Sequence, residues 1–126
     1  MSDLSFDNLP KENLVNVLIK WSSLTGTDEG KWAKVATMAD KTVHIFGEFD
    51  GAAVIIQGSN EGGRAGDTPN AANAVTLVDP QGNQISVSSK AMETILENPA
   101  QIRPVTSGGG ASTDITVIIC AKGGLQ

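Results

Sequence analysis

Apolar and polar side chains alternate with a period of two in several short runs of the chain, the pattern of strands that bury one face. In residues 14–21, LVNVLIKW, the alternation puts Val15, Val17, Ile19 and Trp21 on one side and Asn16 and Lys20 on the other. The clearest signal lies in residues 42–59, TVHIFGEFDGAAVIIQGS, where two such runs flank Asp50-Gly51. This dipeptide predicts a β-hairpin, because a two-residue turn needs positive φ at both central positions, which Asp tolerates and Gly accepts freely. With Phe49 opposite Ala52, the register sets Gly47 against Val54, Ile45 against Ile56 and Val43 against Gly58 on one face. The other face then pairs Glu48 with Ala53, Phe46 with Ile55 and His44 with Gln57, so it has an apolar centre between polar ends. Such a centre needs a cover, from this chain or from a neighbour.

Further runs follow the same period. A weaker strand is expected around Trp32 and Val35, after the turn-rich SSLTGTDEG, and others over 74–79 and 84–88, joined by Asp79-Pro80-Gln81-Gly82 as a type I turn. Residues 100–106 are extended, and Pro104 within them places that strand at an edge or a bulge, since proline cannot donate to a ladder. In residues 114–121, Ile115, Val117 and Ile119 face one way and Asp114 and Thr116 the other. One stretch breaks the period: after Ser89, KAMETILE spaces Met92, Ile95 and Leu96 as one side of a helix of about two turns, capped by Ser89 and stopped by Asn98-Pro99. The expected fold is all-β, an antiparallel β-sandwich or jelly roll of about eight strands with one short helix.

Two segments fit no core. Residues 1–13 are polar with scattered Leu4, Phe6 and Leu9, and Pro10 discourages a helix through them. They read as an extended N-terminal arm ahead of a single β-sandwich domain over 14–126, its three apolar residues suited to docking on another subunit. Residues 60–73, NEGGRAGDTPNAAN, lack large apolar side chains, and a connection this long in a compact domain is usually functional or mobile.

Composition narrows the class. The 126 residues suit one domain, and a net charge of -5 argues against nucleic-acid or acidic-membrane partners. Cys120 is the only cysteine, so no internal disulfide forms. No apolar run reaches the length of a spanning helix, and the first residues lack the basic start and apolar core of a secretion signal. These features predict a protein folded in a reducing cytoplasm.

Candidate chemistry is sparse. His44 is the only histidine, which removes a histidine-based metal cluster, and no nucleophile elbow accompanies it. A surface or interface histidine is expected. Cys120 reads as a small buried hydrophobe. The glycines of 58–68 follow a strand but lack the Gly-Lys-Ser/Thr ending and the helix that a phosphate loop requires. Asn60, Glu61 and Asp67 offer oxygens for calcium at a spacing that matches no calcium loop. Glu48 is the only acid well inside a strand, so paired carboxylates for glycoside hydrolysis are missing. A binding or structural protein without catalytic residues, metal or cofactor is the expectation.

Several stretches together resemble the capsid cement or decoration proteins of tailed bacteriophages, small virion proteins with a β-sandwich or jelly-roll fold. They are Ala39-Asp40-Lys41-Thr42-Val43-His44-Ile45, Phe46-Gly47-Glu48-Phe49-Asp50-Gly51-Ala52, and Val54-Ile55-Ile56-Gln57-Gly58-Ser59-Asn60-Glu61-Gly62, followed by Leu77-Val78-Asp79-Pro80-Gln81-Gly82-Asn83, Glu97-Asn98-Pro99 and Ile102-Arg103-Pro104. In that family the Gly-Ser-Asn-acid-Gly turn is followed closely by a tryptophan, whereas here residues 64–73 intervene without an aromatic, so the loop's role does not carry over. The resemblance implies a structural protein on the capsid exterior that binds the major capsid protein and stabilises its lattice, as a dimer or trimer. It directs attention to Leu4, Phe6, Leu9, Phe46, Ile55, Arg64 and Asp67 as capsid or subunit contacts. The turn at 57–62 also resembles a scaffold feature of discoidin-like lectin domains, which leaves a carbohydrate-binding sandwich on the virion or tail as the alternative, with Trp21 and Trp32 as its stacking platforms.

Overall fold

A computed structural model gives the fold and describes residues 16–61 and 68–123. Among the described residues nine strands occur in order: β1 (Asn16–Leu24), β2 (Ala33–Lys34), β3 (Met38–Glu48), β4 (Ala53–Ser59), β5 (Val75–Thr76), β6 (Ser86–Val87), β7 (Ala91–Ile95), β8 (Gln101–Ser107) and β9 (Asp114–Gly123). All pairings between them are antiparallel. One sheet has four strands in the order β1-β9-β3-β7; the other has five, ordered β2-β8-β4-β5 with β6 also paired to β4.

The core lies between the sheets and is made by the alternation itself. Val43 and Ile45 from β3 and Ile115, Val117 and Ile119 from β9 meet Val54 and Ile56 from β4 and Ile102 from β8, all buried. Each such side chain contributes about 1.5–3 kcal/mol through its removal from water. Ile19 and Trp21 of β1 pack against this cluster, and the Trp21 Nε1 donates to the Lys31 carbonyl at 2.9 Å.

The turn at Asp50-Gly51 forms as its chemistry demands, with φ of 45° and 86° and the Ala52 amide donating to the Phe49 carbonyl at 2.7 Å. It does not close a hairpin. β3 pairs with β9 and β7, whereas β4 pairs with β8, β5 and β6, so the turn carries the chain from one sheet to the other. Ile45 and Ile56 line the core from different sheets instead of lying side by side. Both arrangements require the same alternation and the same tight turn, which is why the pattern does not separate them. The corner is fastened to the β8–β9 loop: the Asp50 carboxylate accepts from the Ser112 amide at 3.0 Å, and Thr113 Oγ1 donates to the Phe49 carbonyl at 3.2 Å. Gly47, at φ 126°, makes the approach to this corner, where a Cβ would come within 2.3 Å of the Asp114 carbonyl oxygen.

The expected helix after Ser89 is strand β7. It pairs from Ala91 opposite Ile45 to Ile95 opposite Lys41, with Ile95 buried and Met92 exposed. Two helical turns are too short to form without tertiary support, and the free edge of β3 offers this backbone a ladder instead. Among the described residues the only helical element is a 3-10 turn at Ala71–Asn73, capped by Asn70. The turn at 79–82 forms as expected: the Gly82 amide donates to the Asp79 carbonyl at 2.9 Å, and Asp79 Oδ1 accepts from the amides of Gln81 and Asn83.

Strand β8 is interior to its sheet in spite of Pro104. The Pro104 carbonyl accepts from the Gly30 amide at 2.8 Å, so its ring nitrogen also points towards the short, loosely paired 28–34 side and leaves the β4 ladder intact. Lys41 is the one lysine among the buried residues, 1% exposed at the end of the sandwich. Its Nζ donates to Asn98 Oδ1 at 2.6 Å and to the Met38 carbonyl at 3.4 Å. Burial holds its pKa below the ordinary lysine value, outweighing the upward pull of Asp40 and Glu97.

Candidate interaction surfaces

The two sheets present outer faces of different character. On the four-stranded sheet, the registers align Leu18, Cys120, Thr42 and Thr94 in one row and Lys20, Ile118, His44 and Met92 in the next, with Thr116 and Phe46 beyond. All are outward positions, because their sequence neighbours Ile19, Val43, Ile45, Val117, Ile119 and Ala121 fill the core. Leu18 is 72% exposed and Met92 64%. Leu96, 53% exposed just past β7, borders a depression of ≈ 570 Å³ together with Thr42, Thr94, Cys120 and Lys122. Three of the four exposed large apolar residues described, all but Val75, thus gather on one side of the molecule. Exposed apolar residues on folded proteins are more commonly scattered singly than gathered on one side.

Phe46 sits on this face, half-buried, with its ring tilted against that of His44 at 4.7 Å between centroids. His44 is exposed and lies opposite Ile118 and Met92, not Gln57. Cys120 is half-buried on the same face, outside the core position expected for it.

On the five-stranded sheet the outer face carries a self-satisfied polar cluster around Arg103, beside the half-buried apolar pair Ile55 and Val105. Arg103 is 6% exposed: its Nε donates to Gln57 Oε1 at 2.9 Å, its guanidinium lies 4.5 Å from the centre of the Trp32 ring, and Nη1 is 3.6 Å from the Glu29 carboxylate. Stacking on Trp32 contributes about 0.5–2 kcal/mol, while an ion pair to so exposed a glutamate contributes about 0–1 kcal/mol. A depression of ≈ 530 Å³ opens beside this group, lined by Lys31, Trp32, Thr68, Gln101 and Arg103 among others. Ile55 belongs to this second sheet, opposite Val105 and Ser86. Phe46 and Ile55 therefore sit on opposite outer faces and form no common apolar centre.

Of the other residues expected at contacts, Leu4, Phe6, Leu9, Arg64 and Asp67 lie outside the described residues. The end of the 60–73 connection is pinned by Glu61, which accepts from the Asn70 amide and from Asn73 Nδ2, both at 2.9 Å. Leu18 and Ile118 are absent from the contacts expected from sequence, and the spacing of Met92 predicts the apolar side of a helix. The signal for the first two was parity: Leu18 and Ile118 are apolar at outward positions of strands whose inward set is already complete. Among the described residues no three potential metal ligands come together, and no helix is long and apolar enough to cross a membrane.

The fold is similar to that of a solved prophage protein, the SPBc2 prophage-derived protein YomS, at 14% identity and a TM-score of 0.51 over 86% of this chain and 95% of that one. Weaker likenesses link it to a protein of Bacillus endospore appendages that form disulfide-linked pili, at 12% identity and a TM-score of 0.46 over 99% of this chain and 100% of that one. IMPa from Pseudomonas aeruginosa, solved with an O-glycopeptide, matches at 11% identity and a TM-score of 0.46 over 87% of this chain but 13% of its own. No protein-family profile matches the chain, and no curated protein matches it by sequence.

Proposed function

We propose that this chain is a structural virion protein of a tailed phage, which binds the outside of the capsid and stabilises the lattice of the major capsid protein. The observation that carries the reading is a cluster of exposed apolar residues on the outer face of a closed sandwich, on a fold that a prophage-derived protein shares over nearly its whole length. A rigid two-sheet scaffold with one adhesive face suits a protein whose work is contact and not chemistry. Its net charge of -5 avoids competition for packaged DNA. Purified protein should co-sediment with expanded capsids that lack it and raise their resistance to heat; capsids that pellet without it would refute the assignment.

The Trp32–Arg103 depression favours a second reading, a carbohydrate-binding module on a virion or tail. Trp21 cannot serve as a platform, because its ring packs on the core and its Nε1 is engaged. Trp32, half-buried on the wall of that depression, is the remaining platform. Under this reading glycan-array binding is present and is lost in Trp32→Ala; a silent array for the unmodified chain removes it.

A further inference from the structure

We propose that the outer face of the four-stranded sheet receives residues 3–9 of a second copy of this chain, so that the protein self-associates by arm exchange. The face carries Ile118 and Phe46 on its inner strands and Leu18 and Met92 on its two edge strands, and none of these is needed to complete the core. The matching apolar residues lie ahead of β1: Leu4 and Phe6, spaced by two as strand neighbours on one side, and Leu9 after them. Seven extended residues span about 23 Å, comparable with the roughly 20 Å along β9 from Thr116 to Lys122 at the rise of an antiparallel strand. Charge agrees with the pairing. Residues 1–13 carry Asp3, Asp7 and Glu12 against Lys11 alone, whereas Lys20 and Lys122 are exposed along the β1–β9 side of the face. The acids of that face, Glu48 and Asp114, stand opposite each other at its far end, and Asp40 is already opposite Lys122. An acidic segment is therefore directed along the β1–β9 side.

A second copy is the occupant because of where the chain enters. β1 is an edge strand whose first residue, Asn16, stands opposite Lys122 at the end of the sheet, and it runs from there away from that end. To reach its own face from Asn16 the backbone would have to reverse the direction of β1; to reach a neighbour's face it would not. The inference concerns self-association alone; an arm seated here would cover the apolar residues on which the capsid reading rests, so the two are tested separately.

Full-length chains test it without capsids. One variant disables the arm (Leu4→Ser, Phe6→Ser and Leu9→Ser together) and another the face (Leu18→Glu with Met92→Glu). Sedimentation velocity over a wide concentration range should show the unmodified chain associating and each variant monomeric with unchanged circular dichroism. The decisive step mixes the two variants: each supplies what the other lacks, so a 1:1 pair should form and go no further. A monomeric unmodified chain, a variant that associates like the unmodified chain, or a mixture that does not pair would each overturn the proposal. Should the double face variant fail to fold, Met92→Glu alone gives the same readout.

Discussion

The two outer faces are built on the same kind of scaffold and differ in what covers their side chains. Around Arg103, long side chains satisfy one another: an amide, an indole ring and a carboxylate surround a guanidinium that water hardly reaches. Around Ile118 nothing comparable happens, and Leu18 and Met92 project from the sheet with most of their surface exposed. A polar group that is buried must find partners within its own chain, whereas an apolar group left outside gains only when something else covers it. The first face thus contributes to the stability of the single chain, and the second exposes apolar surface that the single chain does not cover.

The comparison predicts a large stability effect on the first face. Arg103→Ala removes the bond to Gln57, the stack on Trp32 and the alkyl packing of a nearly buried stem, and should lower unfolding free energy by about 2–3 kcal/mol. Arg103→Lys should lose about half as much, since an ammonium keeps the charge but not the planar stack or the Nε donor. Urea denaturation of both variants checks this; an Arg103→Ala chain as stable as the parent would show that the cluster is decoration. Self-association should be unchanged in either.

A smaller effect separates Arg103 from the other buried cation. Lys41 has an amide and a carbonyl as hydrogen-bond partners and no ion pair to a carboxylate among the described residues, and burial lowers its pKa in the folded chain. In the window between that lowered value and the ordinary lysine value near 10.5, the unfolded chain binds more protons than the folded one. Stability linked to Lys41 therefore rises as pH increases through the window, and the cost of a buried charge is present in full below it. Lys41→Met should remove this alkaline gain and leave the protein at least as stable near neutrality. Melting temperatures of the two chains, compared from neutral to alkaline pH, would contradict the account if their difference stayed constant.

Much of the fold was legible because alternation is a local consequence of burial. Val43, Ile45, Ile115, Val117 and Ile119 are core residues as their period requires, and the Asp50-Gly51 and Asp79–Gly82 turns form with the backbone their residues favour. What alternation lacks is any statement of which strand lies alongside which. Ile45 and Ile56 carry the same signal whether they are neighbours in one sheet or line the core from different sheets, so the turn between them was legible and its role was not. Residues 91–95 show a second limit. Met92, Ile95 and Leu96 match a helical spacing, yet the free edge of β3, created by residues fifty positions earlier, decides the matter. The candidate surface was half legible for the same reason: Phe46 was recognised as apolar on an outer face, but its neighbours Ile118 and Met92 arrive only through the β9 and β7 pairings, and Ile55 departs with the other sheet.

That separation of Phe46 from Ile55 supplies the smallest effect on stability and the sharpest contrast in behaviour. Both are half-buried at outward positions, one on each sheet, so glutamate at either site should cost about 1 kcal/mol or less, within the ordinary range for surface substitutions near apolar neighbours. Phe46→Glu, however, places a charge beside His44 and among Ile118 and Met92, where an acidic arm would have to lie. It should leave a folded monomer that no longer associates. Ile55→Glu places its charge near the Arg103 cluster and should associate like the parent. If both substitutions abolish association, the contact involves both faces and the division between a self-satisfied sheet and an adhesive one is wrong. If neither does, the apolar cluster is an exposed surface without a partner in the chain's own assembly, and its covering must be sought on the capsid.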